Sequence, residues 1–280
     1  MTKLLKYISV TTLFLASLVL HAGETATFLP ESRLVPGGVA VIKVGEGKKR
    51  PVVTYKGRKI LVTKNGDKWF AVAGISLYDK PGKKYLKYAN RKKSISFVVK
   101  SKKYKEQHIT LKTNKHVNLS KKDLSRHKGE KKRSGQALTR WSESGQPDLK
   151  LLQPVEGRYS SPFGLKRFFN GQPRRPHSGL DIAAPKGSPI VAPANGTVMI
   201  ASNFFFNGNT IYIDHGYGLV TMYCHMEKLS VKEGDTVKKG QLIGLVGTTG
   251  RSTGPHLHWG VALNGSMVDP LIFIESGEEK

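Results

Sequence analysis

Five of the nine histidines fall in the second half of the chain: His177, His215, His225, His256 and His258. His256 and His258 open an apolar, strand-like run with one residue between them. Side chains two apart on a strand point to the same face, so both imidazoles would meet one centre. Asp181 follows His177 by four residues, and Pro176, Gly179 and Pro185 make that stretch loop and strand rather than helix. A turn must therefore bring the two together. Two His and one Asp, with a position left for water, is the ligand count of a catalytic zinc site, which lowers the pKa of coordinated water to about 7. His-Glu-x-x-His is absent, so proton transfer would fall to imidazole rather than to a glutamate. Taken singly, each motif is equally what a half-exposed strand offers its neighbouring backbone as a polar partner.

The elements that must position these groups read as β. From Lys150 onward, strands are predicted at residues 197–200, 210–213, 219–223, 241–246 and 256–263, with no amphipathic helix of useful length. The front of the chain reads as short strands at 39–44, 51–55, 59–63, 69–72, 94–99 and 108–111. Asn65-Gly66 marks a hairpin before Trp69. Such a series suggests a small β-sandwich. Between the two lies a charged stretch with few apolar anchors (Leu124, Leu138, Trp141), interrupted by Gly129 and Gly135. Ser120 is placed to cap a helix from Lys121. The expected division is a leader at 1–23, a basic front domain at 24–111, a partly helical linker at 112–150 and a compact, mainly β domain at 151–280.

Charge divides the chain the same way. The 280 residues carry a formal charge of +26, and 34 of the 46 Lys and Arg precede residue 151, against 10 acidic residues there. The remainder holds 12 basic and 10 acidic residues. Lysines alternate with apolar residues on the predicted front strands, so part of the charge is a solvated face. The rest could hold an anionic polymer or acidic lipid headgroups. Residues 1–23 show a basic start, a short apolar run and small residues at Ala22-Gly23, the pattern of a cleaved secretory signal. Export removes the chain from nucleic acid, and no stacking-aromatic pattern of a nucleic-acid module is visible. The single cysteine, Cys224, excludes an internal disulfide framework and a Cys-rich zinc module.

Two segments sharpen the picture: Arg174-Arg175-Pro176-His177-Ser178-Gly179-Leu180-Asp181 and Gly250-Arg251-Ser252-Thr253-Gly254-Pro255-His256-Leu257-His258-Trp259. With Tyr223-Cys224-His225-Met226 and Ile213-Asp214-His215-Gly216, they resemble the lysostaphin-type (LytM-like) zinc metallopeptidases in order and spacing, over residues 151–274. The resemblance implies an antiparallel β domain with His177, Asp181 and His258 as ligands to one zinc ion per chain. It implies His225 and His256 as the non-ligand pair that handles protons and polarises the transition state. His215 is left over, and reads as structural, satisfied by Asp214 or by backbone.

The same resemblance implies peptidoglycan peptide stems as substrate, cut outside the cytoplasm. The front half resembles that of periplasmic members, which favours D-alanyl–diaminopimelate cross-links. Two alternatives stand beside an endopeptidase. One is a metallocarboxypeptidase trimming terminal D-alanine, and the other is a non-catalytic module that activates other wall hydrolases. The turn grammar of residues 231–241 also resembles lipoyl and biotinyl carriers, but no modifiable lysine sits in the setting such carriers need.

Overall fold

The computed structural model describes residues 27–110 and 119–274. The predicted leader, Leu111 and the first part of the predicted linker lie outside the described residues. No helix among the described residues is long and apolar enough to cross a membrane.

The second half is built on one large, twisted sheet. Along its main path the strands run Thr236–Val237, Gly196–Phe204, Gly208–Asp214, Leu219–Leu229, Leu257–Leu263, Leu180–Ala183 and Arg158–Ser161, each antiparallel to the next. Residues 219–226 are buried on both faces of the sheet, which explains why the predicted strand at 219–223 shows no polar alternation; the observed strand continues to Leu229. A second pair, Pro189–Val191 and Leu242–Val246, packs Ile190, Ile243 and Val246 into the same core as Ile211, Tyr223 and Trp259.

The front half forms two smaller sheets around a shared core. One contains Val39–Glu46, Lys68–Gly74 and Leu61–Asn65; the other contains Arg58–Lys59, Val53–Tyr55, Gly82–Tyr88 and Ser94–Val99. Val44, Tyr55, Trp69, Leu86 and Phe97 meet between them. In Gly82–Tyr88 the buried Leu86 and Tyr88 alternate with exposed Lys87 and Tyr85. The lysines of this strand hide its apolar face from a sequence reading. The hairpin after Leu61–Asn65 is displaced by one residue. Asn65 pairs with Lys68, so the turn is Gly66-Asp67, and Gly66 takes the positive φ of 60°.

Two departures bear on the site. The strand predicted at 108–111 runs instead from Glu106 to Ile109. It leaves the front sheets and pairs in parallel with Lys166–Phe169 of the second half. The linker helix, Lys121–Leu138, continues through both Gly129 and Gly135, with Ser120 Oγ accepting from Asp123 N at 3.1 Å. It docks mainly through polar contacts, which is why it shows no apolar stripe. Arg126 donates to Asn203, Glu130 accepts from Phe205 N, Arg133 pairs with Glu233, and Tyr212 bonds Ser134. Leu138 packs beneath it, while Leu124 is exposed.

Front and back halves are clamped together. Asn264 Oδ1 accepts from Gly74 N at 2.7 Å, and its Nδ2 donates to Gly74 O at 3.3 Å. A Cβ at Gly74 would lie 2.8 Å from Leu263 O, so only glycine permits this approach. Asn264 itself has φ 44°. Asn264→Gly keeps that turn and deletes only the clamp. We expect a loss of about 1–3 kcal/mol, read as a lower denaturant midpoint. An unchanged midpoint would mean that apolar packing alone joins the halves.

Candidate metal centre

Sheet register brings the first two groups together. Asp181, on Leu180–Ala183, is the register partner of His258 on Leu257–Leu263. Directly opposed residues of an antiparallel pair present their side chains to the same face, so carboxylate and imidazole meet without help from a loop. Leu180, Ile182, Leu257 and Trp259 alternate to the other face and are fully buried. A slip of one residue would exchange the two faces, so the core fixes the ligand face.

His177 arrives from a loop. Its N–H bonds Leu165 O, and its own carbonyl accepts from Gly164 N, both at 2.8 Å. Its Nδ1 lies 2.8 Å from Pro162 O. A carbonyl only accepts, so Nδ1 carries the proton and Nε2 keeps its lone pair. That Nε2 is 2.8 Å from Asp181 Oδ1 and 3.0 Å from His258 Nδ1, and His258 Nδ1 is 2.7 Å from the same oxygen. His177 is 2% and Asp181 6% exposed. Burial alone would raise the Asp181 carboxyl, but the two imidazoles of His177 and His258 packed against it hold it far below the usual carboxylate range. Burial pulls His258 down despite the attraction of Asp181.

Three lone-pair donors therefore face one another in a dry place, and at most one proton, on His258 Nδ1, can mediate among them. The donor set fits a divalent cation that accepts nitrogen and oxygen ligands. Among the described residues this is the one cluster whose donor atoms converge in that way.

His225 and His256 stand beside the triangle rather than in it. Their ring centroids are 4.8 Å apart, and that of His225 is 6.2 Å from that of His258. His225 Nδ1 lies 2.8 Å from Thr249 O, and His256 Nδ1 lies 2.9 Å from Gly254 O. Each is thus held as the Nδ1–H tautomer, with Nε2 left as the reactive atom. The backbone of His225 is itself unusual, with φ 65° and its N–H on Asn207 O at 2.7 Å. Burial first, then the charges of His256 and His258, lower the His225 pKa to about 3, so it is neutral at physiological pH. The expectation that His256 and His258 share one centre holds only for His258. His256 lies just outside the strand, in a single bridge to Gly247.

His215 is placed away from this cluster. Its Nδ1 donates to Asn195 O and its Nε2 bonds Thr221 Oγ1, both at 2.7 Å, while Asp214 instead accepts from Gly216 N. Burial lowers its pKa to about 4. Cys224 is buried, and burial pushes its thiol pKa up.

Several neighbours of the site carry no signal in the sequence. Arg167 Nη2 donates to Asp181 Oδ2 at 2.8 Å. Arg251 lies over the rings of Phe169 and Phe206, at 4.6 and 4.4 Å from their centroids. Burial, then the charges of Arg167 and Arg174, pull the Arg251 pKa down to about 10, which leaves it a cation at neutral pH. These contacts join residues 14 to 82 positions apart, and no local pattern announces them.

Residues 175–270 match the model of peptidase family M23, and residues 32–102 match that of the peptidase family M23 N-terminal domain. The crystal structure of a putative peptidase M23 from Pseudomonas aeruginosa superposes with a TM-score of 0.74 and 42% identity, over 88% of this chain and 99% of that one. The DD-carboxypeptidase/endopeptidase Mpg of Neisseria meningitidis is 43% identical over 44% of this chain and 31% of its own length. Peptidoglycan DD-endopeptidase ShyA of Vibrio cholerae is 36% identical over 48% of this chain and 27% of its own. The chain thus spans under a third of the length of these two curated relatives.

Gly179 leaves no room for a side chain beside His258. A Cβ there would lie 2.5 Å from Trp259 O and 2.8 Å from the His258 ring. Gly179→Ala is expected to weaken divalent-metal binding about tenfold or more, because His258 must shift. Competition against a chromophoric chelator, with circular dichroism to confirm folding, reads this. Unchanged affinity would mean that the loop yields instead.

Proposed function

We propose, for a chain that belongs to peptidase family M23, that His177, Asp181 and His258 hold one zinc ion and that the enzyme hydrolyses peptide cross-links of peptidoglycan outside the cytoplasm. The observation that carries this reading is the convergence of three lone-pair donors beside two imidazoles that are not among them. Zinc bound there supplies Lewis acidity, polarising a carbonyl and acidifying water. The protein's own groups do the rest. His225, kept neutral by burial, offers Nε2 as a hydrogen-bond acceptor that orients water. His256, held to Gly254 O and Ser252 on its Nδ1 side, keeps Nε2 to take that water's proton and carry it to the leaving amine.

The complete donor set speaks against a non-catalytic activator. The similarity to a DD-endopeptidase and a DD-carboxypeptidase/endopeptidase supports cleavage of a D,D bond, with D-alanyl–diaminopimelate cross-links as the preferred target. Trimming of terminal D-alanine is the second reading, and the name of the Neisseria relative favours keeping it. Arg167, Arg174 and Arg251 cluster near the centre, a setting that suits a substrate bearing carboxylates. The basic front half is read as attachment to anionic envelope polymers or lipid headgroups.

Digestion of purified cross-linked muropeptide dimers, followed by mass, tests the reading. Monomers are expected; loss of a single alanine would favour the trimming enzyme, and an intact dimer would overturn both. His258→Ala should lose zinc and activity together. His225→Ala and His256→Ala should keep zinc while kcat falls about 10²-fold or more.

Binding of the protein to whole sacculi should weaken steeply with salt, since screening shortens to ~3 Å at 1 M. Salt-insensitive binding, measured by co-sedimentation, would mean that the lysines are not the attachment.

A further inference from the structure

Asp181 has two carboxylate oxygens in two different environments. Oδ1 faces His177 and His258 at 2.8 and 2.7 Å. Oδ2 accepts from Arg167 Nη2 at 2.8 Å, and the two side chains are only 9% and 19% exposed. Arg167 is itself held from behind. Its Nε donates to Gln107 Oε1 at 3.1 Å, and Gln107 Nε2 donates to Ser161 Oγ at 3.3 Å. The backbone closes the same loop of contacts. Gln107 is the register partner of Arg167 in the parallel pair, and Ser161 is the register partner of Asp181 in the antiparallel one. Two strand pairings therefore deliver four side chains to one network.

We propose that Arg167 is a positioning residue that reserves Oδ2 of Asp181, so that only Oδ1 is offered to the metal, and that Gln107 holds Arg167 to that task. The inference rests on the metal site proposed above and adds residues outside it. A buried carboxylate with both oxygens available would wrap a divalent cation through both and crowd the position that water and substrate need. A guanidinium bonded to one oxygen prevents this, because a charge-assisted hydrogen bond in a dry site is strong and directional. Gln107, Ser161 and Arg167 all lie between the two family-matched regions, residues 32–102 and 175–270. The stretch joining those regions thus does more than connect them: it sets how one ligand binds.

Cobalt(II) replacing zinc in the full-length mature chain reports the ligand arrangement through its visible absorption, which weakens as coordination number rises. In Arg167→Met the bound-cobalt absorption is expected to lose intensity. In the zinc enzyme kcat is expected to fall about tenfold or more, with KM nearly unchanged. Arg167→Lys, which keeps the charge but not the planar fork, should restore part of both. Gln107→Leu should shift both in the same direction by less. An unchanged cobalt spectrum in Arg167→Met, in a protein whose cobalt is lost on His258→Ala, overturns this inference alone. Cobalt retained with the parent spectrum in His258→Ala overturns the donor set, and this inference with it. Should Arg167→Met fail to fold, Gln107→Leu decides: parent spectrum and parent kcat overturn the proposal.

Discussion

A single carboxylate oxygen, Asp181 Oδ1, lies within 2.8 Å of two imidazole nitrogens in a place that water hardly reaches. Lone pairs do not gather in this way unless something positive is meant to sit among them. Much of the second half can be understood as what is needed to hold them there. The broad antiparallel sheet fixes Asp181 against His258 by register. The apolar face behind it makes any other register costly. The loop carrying His177 is tied down through three consecutive contacts with residues 162–165.

How far these features can be read from residue types depends on distance along the chain. The spacings of His177 with Asp181 and of His256 with His258 are suggestive, His225 is singled out only by the family resemblance, and all five are brought to one region. The apolar run at 219–223 is equally plain, although its strand continues to Leu229. Other features left no local trace. Gly82–Tyr88 carries three lysines, which mask a face built on Leu86 and Tyr88. The helix Lys121–Leu138 binds its neighbours through arginine, glutamate and serine, so hydrophobic periodicity has nothing to detect. Glu106–Ile109 pairs in parallel with a strand some sixty residues later, and a parallel pairing gives no hairpin turn to find. Its consequence is that a boundary placed at residue 111 cuts between elements that are in fact joined.

The charge asymmetry also has a structural counterpart. On Gly82–Tyr88 and Ser94–Val99, Lys83, Lys87, Ser94 and Ser96 turn outward while Leu86, Tyr88, Phe97 and Val99 turn inward, so part of the positive charge comes simply from how these strands are wetted. The arginines near the metal centre are different in kind. Arg167 and Arg251 are partly buried, the first bonded to Asp181 and the second stacked on two aromatic rings. Net charge alone could not separate these two populations, because only burial and partners distinguish them.

His225 holds a left-handed backbone that costs a non-glycine residue about 1–2 kcal/mol. Glycine would sit there without penalty, although the imidazole would be gone. On the proposed reading of His225 as a catalytic group, hydrolysis and durability therefore pull this one position in opposite directions. A descendant relieved of its chemistry would drift toward a sturdier molecule of the same shape, an inexpensive evolutionary route from cutter to scaffold.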